Sequence, residues 1–82
     1  MSRVLLFVQY GDARPKCVAR GRYPVLSELV QYGCTQAEIA DRWWLVECDN
    51  AEGGRLAIKH STNLEMKNRH MFGRVLERGG RP

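Results

Sequence analysis

The run Val4-Leu5-Leu6-Phe7-Val8 narrows the outcome most: five consecutive apolar residues, rich in β-formers, in a chain of 82 residues. Successive side chains of a strand point to opposite faces. A strand over residues 3–10 is therefore apolar on both faces and must be central in its sheet or covered by a partner. The run is far too short for a membrane helix, which needs about 20 apolar residues. A secretory leader would need a longer apolar core and a small-residue cleavage site. The expected location is the cytoplasm, without a membrane.

Length bounds the rest. A chain this short makes one domain and buries roughly 60–65% of its unfolded surface. A deep substrate pocket is hard to build on so small a core, whereas a surface that grips a larger partner is not. Three cysteines, Cys17, Cys34 and Cys48, form no CxxC pair and no even framework, which suits reduced thiols. No cofactor motif is present.

Along the chain, Gly11-Asp12-Ala13-Arg14-Pro15 reads as a turn and residues 16–21 as a return strand, giving a hairpin over 3–21. Pro24 suits the first turn of a helix whose apolar stripe is Val25, Leu26, Leu29 and Val30, with Gly33 as its stop. Thr35-Gln36-Ala37-Glu38 is a capping box and opens a short helix over about 36–43. Trp44, Val46 and Cys48 then alternate with Leu45, Glu47 and Asp49, as in a half-buried strand. Residues 49–54 contain strong turn formers, and 55–60 alternate again, which predicts a second hairpin over 44–60. Thr62-Asn63-Leu64-Glu65 is another capping box. The helix it opens, over roughly 63–77, would gather Leu64, Met71, Phe72, Val75 and Leu76, with Gly73 as its flaw. Residues 78–82 are expected to be a flexible basic tail on a domain spanning 1–77.

The expected fold class is α+β: a four-stranded antiparallel sheet made of two hairpins, with two short helices and a C-terminal helix on one face.

Charge is arranged in blocks. Residues 1–23 carry five basic side chains and one acid, 24–54 one basic and six acids, and 55–82 seven basic and two acids; the net charge is +4. Either the fold interleaves these blocks and they neutralise one another, or it sorts them onto separate faces. A basic face steers toward nucleic acid or acidic protein, and an acidic face toward an arginine-lined partner.

Thr35, Gln36, Glu38, Ile39 and Ala40 resemble the start of the first helix of a helix-turn-helix. The resemblance spans about a dozen residues and ends at Trp44, where that family places a small turn residue. Leu45 to Asp49 reads as a strand where a polar recognition helix should follow. The resemblance implies contact with DNA but carries over no base-reading residue.

Two sets of side chains are candidates for binding. Trp43 and Trp44 point apart as neighbours in sequence, so one indole should reach the surface; with Glu38, Asp41, Glu47 and Asp49 they form the expected partner-binding set. Lys59, Lys67, Arg69, Arg74 and Arg78 form a basic set, of which Lys67, Arg74 and Arg78 recur at helical spacing. His60 and His70, with Lys59, Arg69 and Glu47, are the raw material for acid–base chemistry in a small nuclease. Cys48, His60 and His70 lack zinc-ligand spacing.

The leading functional expectation is a non-enzymatic protein that docks on a larger protein or nucleoprotein complex, as an inhibitor or accessory factor that occludes a surface. Direct nucleic-acid binding through the basic C-terminal stretch is the alternative, and a nuclease-like enzyme the third reading.

Overall fold

A computed structural model of the chain describes residues 3–31, 40–61 and 73–80. The elements are strands β1 (Arg3–Gln9) and β2 (Lys16–Gly21), helix α1 (Tyr23–Gln31), strand β3 (Arg42–Cys48), helix α2 (Ala51–His60) and strand β4 (Gly73–Gly80). The four strands form one sheet in the order β2-β1-β3-β4, and every neighbouring pair is antiparallel. An α+β domain on a four-stranded antiparallel sheet is thus present, with β1 inside it.

The apolar run does what its pattern requires. Val4 to Val8 are all buried, and each face of β1 is covered by a different helix. On one face Leu5 and Phe7 join Trp44, Val46, Cys48 and Val75 against Ala57 of α2. On the other, Val4, Leu6 and Leu45 pack with Leu26 of α1. The expectation of helices on one face is corrected here: a central strand apolar on both sides needs a cover on both.

The hairpin β1–β2 forms as the sequence predicts. Its turn is closed by the Ala13 amide donating to the Tyr10 carbonyl at 3.1 Å and by the Gln9 side-chain amide donating to the Ala13 carbonyl at 2.8 Å. Asp41 ties this turn to the start of β3. Its carboxylate accepts from the Gly11 amide, and its own amide donates to the Gln9 carbonyl at 3.0 Å. The predicted stripe of α1 divides in two: Leu26 and Val30 pack on the sheet, while Val25 and Leu29, 57% and 36% exposed, face outward.

The second hairpin does not exist. Residues 51–60 are helical, not a turn and a strand. Asn50 caps this helix, its side chain accepting from the Gly53 amide at 2.7 Å; Glu52 in the first turn and Lys59 and His60 in the last complement the helix dipole. The sequence misleads because Gly53-Gly54 looks like a turn. Gly54 is instead the point of closest approach between α2 and the sheet. A Cβ there would lie 2.5 Å from Phe7 Cζ and 3.0 Å from Cys48 Sγ. Ala51, Gly54 and Ala57, spaced by three, are the small residues that let the helix settle.

The C-terminal helix is corrected as well. Residues 73–80 form β4, an edge strand paired with β3. Val75 joins the α2 side of the core and Leu76 the α1 side, as strand alternation requires, and a register shift between Leu45 and Val46 sets Glu77 opposite Leu45. Gly73 begins the strand at φ +155, where a Cβ would meet the Glu47 carbonyl at 2.5 Å. Arg78, Gly79 and Gly80, assigned by sequence to the tail, pair with Trp44, Trp43 and Arg42. The capping boxes at 35–38 and 62–65, residues 36–39 of the short helix expected over 36–43, and all but Ala40 of the residues matched to the helix-turn-helix start lie outside the described residues; the rest of that helix is corrected, since residues 40 and 41 form a bend and Arg42 and Trp43 belong to β3.

Candidate functional site

A cleft of about 660 Å³ opens on the α2 side of the sheet. Its origin lies in the placing of α2, which packs over Phe7, Val46 and Cys48 and leaves the neighbouring end of that face uncovered. Gln9, Arg42, Trp44 and Arg78 form the floor there. They come together through register: Gln9 opposes Arg42, and Trp44 opposes Arg78. Glu52, Arg55, Leu56, Ile58, Lys59 and Ser61 of the α2 region form the wall, and Arg14 and Pro15 of the β1–β2 turn the rim.

The charge of this cleft is one-sided. Among the described residues, five cationic side chains line it (Arg14, Arg42, Arg55, Lys59 and Arg78) against one carboxylate, Glu52. That carboxylate is shared, 3.4 Å from Arg14 and 3.1 Å from Arg55. Arg14 and Glu52 are well exposed, 70% and 69%, so their pair adds little stability. It does lessen the one negative charge facing the cleft. The Nε of Arg55 is buried and makes no hydrogen bond among the described residues, and a buried donor left unpaired is costly. The cations come from all three charge blocks of the sequence, so the blocks neither simply interleave nor sort onto separate faces. The fold draws basic residues from residue 14 to residue 78 to one place.

The sequence-derived candidates distribute unevenly. Lys59 and Arg78 line the cleft, whereas Arg74 opposes Glu47 in register. Arg74 and Arg78 lie on an edge strand and not on one helical stripe; Lys67 and Arg69 lie outside the described residues. The two tryptophans do point to opposite faces. Trp44 is 8% exposed, within the core and at the cleft floor. Trp43 is half-buried in the other core cluster, where its indole ring lies so close to Gly79 that a Cβ there would be 2.5 Å away. Among the acids, Asp41 anchors the hairpin turn, Glu47 is half-buried on β3 and Asp49 is exposed just after it; Glu38 is outside the described residues. Arg14, Arg42 and Arg55 are the cleft residues that sequence reasoning missed. Their distance along the chain hides them, and the misreading of 51–60 as a hairpin hides the wall.

For the catalytic reading, His60 is exposed in the last turn of α2, and His70 is not described. Among the described residues no group of three His, Cys, Asp or Glu side chains is placed to hold a metal ion, and no helix is long and apolar enough to cross a membrane.

On the α1 side, Ser27 donates to the Glu77 carboxylate. A hydrogen bond to Glu77, then burial and the Glu77 charge, raise the Tyr23 hydroxyl above its ordinary value of 10.0. These contacts join the first turns of α1 to the edge strand β4 and lie across the sheet from the cleft.

Compared with known proteins, the chain matches no family model, no curated protein and no solved structure.

Proposed function

We propose that this chain is a non-enzymatic binding protein that docks on a larger protein or nucleoprotein complex, with the basic cleft as its docking surface. The observation that carries this reading is the convergence of Arg14, Arg42, Arg55, Lys59 and Arg78 around one concavity in which, among the described residues, one carboxylate is present and is already shared by two of them. Like charges gathered at one place repel one another and weaken the fold, so an anionic partner that relieves the repulsion gains binding energy there. Such a partner also stabilises a small domain by mass action. Occupying the partner's anionic surface is then sufficient for an inhibitor or accessory role, and no bond need be made or broken.

The test is a comparison of a tagged chain with its Lys59→Glu/Arg78→Glu variant as bait in cell lysate, with and without nuclease. Both positions are exposed, so the fold should tolerate the change, and a circular dichroism melt checks it. A partner recovered in stoichiometric amount by the parent chain and lost by the variant is expected. The same material recovered by both would refute the cleft as the docking surface.

A further inference from the structure

Resting on the reading of the cleft as a docking surface, we infer that its occupant is a single nucleic-acid strand, held through its phosphates without regard to sequence. Four of the five cations are arginines. The guanidinium fork matches phosphate oxygens two at a time, which a lysine ammonium does not. Every nucleotide of a strand brings a phosphate, so a continuous strand meets cations arriving from the rim, the floor and the wall together. An acidic polypeptide carries charge only where Asp or Glu occurs.

The concavity selects the form of nucleic acid. A duplex is read by a helix or ribbon that projects into its groove. Here the cations line a hollow between α2 and the sheet and do not stand on an element that projects into a groove. A charged groove with an aromatic residue beside it is the arrangement that accepts single strands of any sequence. Trp44 supplies the aromatic, but at 8% exposed it shows too little surface to stack a base, so phosphate contacts dominate.

The test is fluorescence anisotropy with labelled 12-nucleotide oligo-dT and oligo-rU, a 12-base-pair duplex and polyglutamate, over a salt series. Both single strands should bind with micromolar dissociation constants, within the range usual for non-specific contacts. For about four neutralised phosphates, log K should fall with log salt at a slope of about −3, roughly 50-fold between 50 and 200 mM. Lys59→Glu/Arg78→Glu should flatten the slope by about 0.7 per position, with Lys59→Gln/Arg78→Gln intermediate. Arg22→Glu, the charge change of one cleft position made at an exposed site outside the cleft lining, should leave the slope within about 0.3 of the parent's. Binding should also quench tryptophan emission, and Trp44→Phe should remove that quench while the anisotropy titration persists.

Equal effects per position of the cleft variant and Arg22→Glu would overturn the assignment, as would a duplex bound as tightly as the single strands. Cleft-dependent binding of polyglutamate alone would overturn nucleic acid as the occupant and leave the docking reading standing. Binding of no probe would overturn both.

Discussion

Adding one carbon at Gly54 sets two terms against each other. Alanine is favoured over glycine within a helix by up to about 1 kcal/mol, and on that ground alone Gly54→Ala should stabilise α2. The packing opposes it. The new Cβ would stand 2.5 Å from Phe7 Cζ, 2.6 Å from Phe7 Cε1 and 3.0 Å from Cys48 Sγ. Phe7 and Cys48 are both fully buried, so neither has free space to retreat into. Overpacking of this kind costs about 1–3 kcal/mol. Sterics should win, leaving a net loss of about 1 kcal/mol and a Tm lower by roughly 4–8 °C. The diagnostic experiment is a double-mutant cycle with Phe7→Leu, which shortens the ring that the Cβ strikes. Each single change should destabilise. Together they should cost less than their sum by about 1 kcal/mol, because the added carbon fills space the ring has left. Urea unfolding followed by far-ultraviolet circular dichroism measures all four corners, with a constant m-value confirming a common two-state reference. If Gly54→Ala matches or exceeds the parent, or the two changes are additive within about 0.5 kcal/mol, the close approach of α2 is not the constraint described here.

Three further outcomes follow from the geometry. Asn50→Ala removes the side-chain cap on the Gly53 amide and should cost about 1 kcal/mol in a urea melt, while Asn50→Asp should keep most of it. Because Tyr23 ionises at higher pH in the folded chain than in the unfolded one, its contribution to stability is complete below pH 10 and is lost as pH rises through the folded value. Tyr23→Phe should remove that part of the alkaline slope, and an unchanged slope would discount the Glu77 contact. Tripolyphosphate at ten times its dissociation constant should stabilise the parent by about 1.4 kcal/mol; Lys59→Glu/Arg78→Glu should show little of this gain in a melt, and an equal gain would place the anion elsewhere.

Much of the sheet was legible in local pattern. The double-sided burial of Val4–Val8, the hairpin turn at 10–15, the helix after Pro24 and the alternation around Trp44, Val46 and Cys48 each reflect forces acting within a few residues. Two elements were not legible, for related reasons. Residues 51–60 carry two adjacent glycines and a short apolar–polar alternation, both signals of a hairpin, but Gly54 answers to Phe7, 47 positions away in the chain. Residues 73–77 continue an apolar spacing that suits a helix, but Gly73 fits closely against the Glu47 carbonyl and the strand pairs along β3. In both places a glycine that reads locally as a breaker is a contact surface for a distant element.

The candidate site shows the same division. Lys59 and Arg78 stood out as part of a basic stretch, yet their stripe depended on a helix that residues 73–80 do not form. Arg14 and Arg42 belong to other charge blocks; register sets Arg42 opposite Gln9, and the hairpin turn that carries Arg14 is fastened to the start of β3 through Asp41.

By itself, the sequence determined a small basic domain with a strand buried on both faces, because apolar periodicity and turn chemistry are local properties of the chain. Only the tertiary structure decided that the helices take opposite faces, that residues 73–80 form the edge β4 and that five cations share a cleft. These depend on strand register and on how closely a helix can approach a sheet, which are set by contacts between residues far apart in the chain.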